Sequence, residues 1–592
     1  MKSRIATTLL LFAGLGALAY QVRTTQRVKA VVLLTAYVPQ DALLTIESPD
    51  FASLLQRWTN SPESKSWLAS GDYSVFQNSR LFSRLGDAQT SFETASGIPA
   101  GVDFLHEVAG KESIFAWYDI GKLEFLYITR MPSQQAEKSQ LLQARGSFQR
   151  RHAGNADFYV RTSSADYSTV AFALVPSPSG DLLLLATRED LIANALTLLA
   201  AATPTNSIQQ EPWFHDASTA LPPEKVAPAL HMVLNLDRIV PDPHFRSYWV
   251  QRNITWTKQF RAAASDLYLE SGRFREERTL LPKSPDTTEP PSFDITLLAD
   301  LAPPDTGILR VTATQDASAA VTAIQQKLLG ADTTQSGDSK SAPEPDLAAP
   351  QSGSVSDLET RIDALPPAST DASTAELTQV LRSSGIDTVL TLSSAQPVTA
   401  KEALWIPIHS AVVLHTIATA DVKLLTVALQ QALRGSITAS NIGLSFQLTQ
   451  DQGATMYALS GPRSLFFAIA PLPAQGSLIL IADDRTLLAE LLHRVGTLPS
   501  KPSTDITSIG VFNHSTQRAP YLRLTALIDG TNNQPAATLS APGRDDTAPA
   551  FFSRNIGSLS DTFSALQTER VVERIVDQNL HQTVTYTWKT QP

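Results

Sequence analysis

Apolar and polar positions change period along this chain, and the changes mark its elements. Phe172-Ala173-Leu174-Val175-Pro176 is a short apolar run, followed by Gly180 and a second run, Leu182-Leu183-Leu184-Leu185-Ala186. Leu191, Ala193 and Leu196 then recur at helical intervals. The pattern predicts a strand, a Pro/Gly turn, a buried strand and an amphipathic helix. It returns some 295 residues later as Phe467-Ala468-Ile469-Ala470-Pro471, Gly476, Leu478-Ile479-Leu480-Ile481-Ala482, then Leu487, Ala489 and Leu492. Thr187 and Asp190 are predicted to cap the first of these helices, and Asp483 or Asp484 the second.

Two further correspondences keep the same order. Arg252-Asn253-Ile254 precedes the runs Asp266–Glu270 and Phe274–Leu281, and Arg554-Asn555-Ile556 precedes Val571–Asp577 and Leu580–Trp588. Gly272-Arg273 and Gln578-Asn579 fall where hairpin turns belong. Pro39-Gln40-Asp41 and Pro303-Pro304-Asp305 each open onto a strand and then a helix, with Asp50 and Asp316 as predicted N-caps. The chain therefore reads as two divergent tandem copies, 30–282 and 293–592, joined by a polar linker over 283–292.

Within the first copy, Ser113–Tyr118 and Leu123–Arg130 predict a hairpin, with Gly121 as the permissive turn residue. Helices are predicted over Phe51–Trp58, Gln134–Ala144, Glu189–Leu199, Ala317–Leu328, Lys423–Leu433 and Leu487–Val495. Strands cluster in groups instead of alternating with helices, which predicts an α+β class with a mixed, largely antiparallel sheet. Residues 331–374 are dominated by Ala, Ser, Asp, Thr and Pro, too little apolar surface to offset ordering entropy, and are expected to form a disordered insertion.

The first residues carry a different pattern. Lys2 and Arg4 precede an apolar run from Ile5 to Tyr20, the basic and apolar regions of an export signal. As a helix the run spans roughly 24 Å at about 1.5 Å per residue, a little short of a ~30 Å hydrocarbon core. Residues 1–29 are thus expected to act as a signal anchor through residues 5–20, with the bulk of the chain on the extracytoplasmic, periplasmic side. Ala17-Leu18-Ala19 also fits a small-x-small cleavage site, so release after Ala19 is the alternative.

Composition narrows the partners. The 592 residues carry a net charge of −10 and a pI near 5.5, which leaves no basic footprint for nucleic acid. Cysteine is absent, which excludes disulfides, thiolate metal sites, cysteine nucleophiles and an acylated cysteine anchor.

The exported segment and Tyr37-Val38-Pro39-Gln40-Asp41 resemble a bacterial family of exported, single-pass proteins of unknown function with a Pro-x-Asp opening. Val108-Ala109-Gly110-Lys111-Glu112 before a strand, and Trp213-Phe214 before Leu221-Pro222-Pro223, extend the resemblance, best over the first copy. It implies a location and an architecture, and no active site.

Catalytic motifs are missing. Gly110-Lys111-Glu112-Ser113 lacks the upstream glycine and the following Ser/Thr of a phosphate loop and reads as a turn. No His-Glu-x-x-His, Gly-x-Ser-x-Gly or Ser-x-x-Lys pattern occurs. His409 and His415, six apart on one strand face, lie ~20 Å apart at about 3.3 Å per residue and cannot share a metal. Glu107, Glu112, Asp119 and Glu124 read as solvated turn and edge residues. Phe245, Tyr248, Trp249, Trp256 and Phe260, at roughly helical spacing, form a candidate partner-contact patch beside the default reading as core. No catalytic, cofactor-binding or metal residue is assigned. The expected role is non-catalytic binding or scaffolding at the membrane, toward an envelope protein. The alternatives are an envelope hydrolase with a site between the copies and a carrier of an apolar ligand.

Overall fold

The computed structural model describes residues 33–69, 80–201, 204–242, 257–284, 293–329, 372–395, 408–436, 446–451, 454–459, 464–472, 475–498, 505–517 and 566–588, with single positions at 73, 77 and 244. The apolar run Ile5–Tyr20 and most of the expected insertion fall outside them. Among the described residues no helix is long and apolar enough to cross a membrane. The chain divides into two compact units, one of 1–287, 521–569 and 576–592, the other of 288–520 and 570–575.

The first unit is an α+β assembly. Its strands are β1 (Leu44–Ser48), β2 (Ser113–Asp119), β3 (Glu124–Met131), β4 (Gln149–Ala153), β5 (Ala156–Thr162), β6 (Thr169–Val175), β7 (Asp181–Ala186), β8 (Leu230–Asn235), β9 (Phe260–Glu270) and β10 (Arg273–Pro282). Register pairs place them in the order β4-β5-β6-β7-β3-β2-β1-β8-β9-β10. Its helices include α1 (Phe51–Asn60), α2 (Pro62–Ala69), α3 (Arg80–Ser96), α4 (Val102–Val108), α5 (Glu189–Ala200) and α6 (Pro212–Ala220).

The second unit has β11 (Thr306–Ala313), β12 (Ile386–Ala395), β13 (Ile408–Thr416), β14 (Phe446–Asp451), β15 (Ala454–Leu459), β16 (Leu465–Pro471), β17 (Ser477–Ala482) and β18 (Ile506–Asn513). They follow the order β14-β15-β16-β17-β13-β12-β11-β18. Its helices include α7 (Ile295–Asp300), α8 (Ala317–Ile324), α9 (Ala372–Ser383), α10 (Val422–Ser436) and α11 (Arg485–Val495). Two strands near the C-terminus, β19 (Leu566–Val576) and β20 (Asn579–Trp588), are joined by Asp577 and Gln578, both with positive φ. β20 pairs with β10 from Arg273↔Thr587 to Leu280↔Leu580. Each of these pairings is antiparallel, so the mixed sheet expected from the sequence gives way to antiparallel pairing.

The two strand–turn–strand–helix segments form as predicted. β7 and β17 are buried at every position because both of their faces are covered. Leu182, Leu184 and Ala186 join one core and Leu183 and Leu185 another. The turns before them rest on Gly180 (φ 113°) and Gly476 (φ 85°), conformations that L side chains rarely adopt.

Other details differ from expectation. Asp50, Asp316 and Asp484 do cap their helices, accepting from the backbone N–H of Ser53, Ser318 and Leu487. Thr187 is no cap: its Oγ1 accepts from Phe125 N at 2.9 Å, and the N-cap position of α5 is Arg188. In the β2–β3 hairpin Leu123, not Gly121, takes the positive φ, and Asp119 closes the turn by accepting from Lys122 N. The helix predicted over Gln134–Ala144 is split at Ser139, whose extended backbone ends one helix and whose hydroxyl caps the next. α9 begins at Ala372, inside the stretch 331–374 expected to be disordered.

Candidate ligand cavity

The site is built on one face of the first unit's sheet. Alternation along each strand sends Ile46 and Ser48, Ser113, Phe115 and Trp117, Phe125 and Tyr127, Leu230 and Met232, and Ser265 and Leu267 to the same side. Over this face lie α1, α3 and α4. Phe51, Leu54, Leu55 and Trp58 form the apolar stripe of α1, and Leu85, Ala88, Gln89 and Phe92 repeat that spacing on α3. Between floor and roof is a cavity of about 220 Å³.

Among the described residues no lining side chain is charged, and none is an imidazole. The serine, glutamine and tyrosine groups of the wall are already spoken for. Ser48 donates to Ala229 O at 3.0 Å, and Ser265 donates to Glu276 Oε1 at 2.5 Å. Gln89 Nε2 donates to Glu93 and to Ala100 O. A chain of hydroxyls, Tyr127–Ser113–Thr129, ends on the carbonyls of Val108 and Glu112. Burial pushes the Tyr127 phenol up, so it stays protonated and serves as a donor. An occupant therefore meets hydrocarbon and aromatic rings. Apolar cavities of about 150 Å³ already stay dry and accept a benzene-sized guest.

The opposite face carries an ionisable cluster. His231 Nδ1 lies 2.6 Å from Asp266 Oδ1, Tyr268 donates to Asp266 Oδ2 at 3.2 Å, and Glu47 is the register partner of His231. Burial raises the Glu47 carboxyl, with the His231 charge opposing and that of Asp266 adding. Burial depresses the His231 imidazolium, but its bond to Asp266 and the charge of Glu47 outweigh this, and the net shift is upward. Burial and Asp266 push the Tyr268 phenol up as well.

The sequence candidates fall elsewhere. Phe245, Tyr248, Trp249 and Trp256 lie outside the described residues. Phe260 opens β9 and is buried with Leu236, Val240 and Leu280, a core position on a strand. His409 and His415 share β13 without meeting. His409 lies 3.3 Å from Asp483, while His415 is clamped between Asp387 (2.5 Å) and the Gln475 carbonyl (2.6 Å), stacked on Phe293. With both nitrogens engaged, His415 is a structural residue.

Asp119 is the turn residue expected, but none of Glu107, Glu112, Asp119 and Glu124 edges the sheet: Glu107 lies on α4, and β2 and β3 are interior strands. Glu107 caps the turn at Gln140, Glu112 binds Arg130 at 3.0 Å and Glu124 binds Arg188 at 3.1 Å. Gly110 and Lys111 are the predicted turn. Their carbonyls accept from Ala52 and Phe51 at the start of α1, and a Cβ on Gly110 would collide with Thr129 and Arg130. Among the described residues no His/Asp/Glu group could hold a metal ion.

Fold and site define an α+β protein with an apolar cavity. No protein family and no curated protein matches the chain. Among solved structures it is similar to crystal forms I and III of TP0453, at 11% and 12% identity. These cover 44% of this chain and 82% and 84% of that one, with TM-scores of 0.23 and 0.22. Likeness of that degree carries no argument about fold or function.

Proposed function

We propose that this is a membrane-tethered extracytoplasmic binding protein of two divergent copies, and that its first copy holds an apolar ligand. The observation that carries the binding role is the cavity: apolar walls, serine, glutamine and tyrosine groups paired within the protein, and no charged side chain among the described lining residues. Such a wall favours binding over bond-breaking chemistry. Among the alternatives, the apolar carrier gains this support, and the hydrolase gains none.

Duplication is supported by strand order. Written in chain order, β1 to β8 of the first unit and β11 to β18 of the second pair in the same sequence of neighbours. The glycine turns correspond too. A Cβ on Gly180 would press on the Met131 carbonyl at the end of β3, and one on Gly476 would collide with the Thr416 carbonyl at the end of β13.

The binding role is tested on the full chain with a neutral naphthylamine fluorophore that brightens in apolar surroundings. Bound fluorescence should appear and should fall at least tenfold in affinity for Ile46→Trp, with the circular dichroism retained. Absence of binding, or binding indifferent to Ile46→Trp, defeats the reading. The tether rests on Lys2, Arg4 and the apolar run, and a mature chain that begins at Tyr20 on N-terminal sequencing would refute it.

A further inference from the structure

The cavity floor is a row of register partners. Leu185 pairs with Tyr127, Tyr127 with Phe115, Phe115 with Ile46, Ile46 with Met232, and Met232 with Ser265. All six line the cavity. The row thus crosses six adjacent strands, and at about 4.8 Å per step its five steps span roughly 24 Å. A small volume drawn out over that length is a narrow trough. Half of a ~30 Å bilayer core, roughly 15 Å, is the reach of one acyl chain, so the floor row is long enough to lie under one.

The two ends differ. Beyond Leu185 the row continues into Phe172 and then Tyr159, whose rings stack at 5.2 Å, with Phe148 set edge-on to Phe172 at 5.0 Å. Phe172 is fully buried, so this end is plugged by aromatic rings. Beyond Ser265 the row meets Arg278, its partner on β10. Arg278 binds Glu276 through Nε and Nη2, both at 2.7 Å, and Glu276 accepts from Ser265. The Arg278 side chain is 38% exposed, so this end is polar and reaches solvent.

We propose that the trough takes one unbranched hydrocarbon chain of a monoacyl lipid, lying across the strands with its methyl end against Leu185 and its polar head at Ser265, Glu276 and Arg278. This rests on the binding role proposed above. Arg278 is already neutralised by Glu276, so the head it suits is uncharged or zwitterionic, not a free carboxylate.

The test is displacement of the naphthylamine fluorophore from the full chain by saturated monoacylglycerols of increasing length. Affinity should climb roughly fourfold per methylene, the yield of burying each one, and then level off at a cutoff length. Leu185→Phe should move the cutoff to shorter chains and Leu185→Ala to longer ones, so one informative variant remains if the larger ring fails to fit. Ser265→Ala should lower affinity a few-fold for every member and leave the cutoff in place. A cutoff indifferent to both Leu185 variants, or a fused-ring hydrocarbon that competes better than any linear chain, overturns the linear trough while the apolar-ligand role stands. Failure of the fluorophore itself to bind removes that role as well.

Discussion

Ile46 and Glu47 are adjacent on β1 and face opposite sides of the sheet: Ile46 lies on the cavity floor, and Glu47 is held against His231 on the other side. The same strand thus carries the apolar ligand wall on one face and an ionisable cluster on the other. Met232 and His231 on β8, and Ser265 and Asp266 on β9, repeat the division. Whatever titrates the cluster acts on three strands of the floor.

Stability of this region should therefore fall as pH rises. Glu47 and His231 both have folded-state pKa values above their ordinary ones, so the native state binds more protons than the unfolded chain, and stability declines with pH. The Glu47 contribution is whole below its ordinary value of 4.5 and is lost as pH climbs through the raised one. That of His231 is whole below 6.5 and is lost in the same sense above it. Hydrogen exchange of β1 and β8 amides, corrected for intrinsic rates, should show weaker protection at mildly alkaline than at mildly acidic pH. Glu47→Gln should remove the lower limb and shrink the upper one, because the Glu47 charge helps to raise His231, and His231→Asn should remove the upper one. Protection that strengthens with pH would contradict the assignment.

Phe115 sits mid-floor between Tyr127 and Ile46, stacked on Phe125 at 5.1 Å and edge-on to Trp117 at 5.8 Å. Truncating such a ring costs about 3–5 kcal/mol where the site cannot collapse. Because Phe115 borders space that exists already, Phe115→Ala should fall at the lower end, and saturating apolar probe should restore part of the loss. Chemical denaturation with and without probe measures both. A loss that the probe leaves untouched would separate Phe115 from the ligand site.

The paired glycines should respond unequally. Gly180→Ala must adopt φ 113° and tolerate the Arg130 side chain at 3.2 Å and the Met131 carbonyl at 3.3 Å. Gly476→Ala drives its methyl into the backbone carbonyl of Thr416, which has no freedom to yield. Left-handed strain alone costs about 1–2 kcal/mol, so Gly180→Ala should lose that much and Gly476→Ala more. Equal unfolding midpoints for the two variants would refute the ranking.

The elements that stand out in the sequence are those whose signal is local. β6, β7 and α5, and β16, β17 and α11, show in apolar runs broken by a glycine, and Asp50, Asp316 and Asp484 mark helix starts because capping needs a short side chain at one position. Thr187 has the same local look of a cap, but its hydroxyl is taken by Phe125 N across the sheet, a contact no local pattern records. Roof helix α3 leaves little trace because its apolar positions, Leu85, Ala88 and Phe92, are diluted by polar neighbours. The floor row joins residues as distant in sequence as Ile46 and Met232, so only strand pairing brings it together. The aromatic run ending at Phe260 is conspicuous along the chain, while Phe115, Trp117, Phe125 and Tyr127, on the predicted hairpin, look like ordinary strand core.

Trp588, close to the C-terminus, should support the cavity from outside. Its ring meets Phe274 edge-on at 5.5 Å, in a cluster with Leu54, Trp58 and Leu267. Leu54 and Trp58 belong to the roof helix α1 and Leu267 to the floor, so the last strand buttresses the cavity near its polar end. Trp588→Ala removes a large buried ring and should cost about 3–5 kcal/mol, most of it felt as loosened packing of α1. Trp588→Phe keeps much of the apolar contact and should lose far less. Amide exchange across Phe51–Asn60 should accelerate in Trp588→Ala, and affinity for the apolar fluorophore should drop with it. Unchanged protection of that helix in the alanine variant would mean that β20 stabilises its partner strand alone and leaves the roof to α3 and α4.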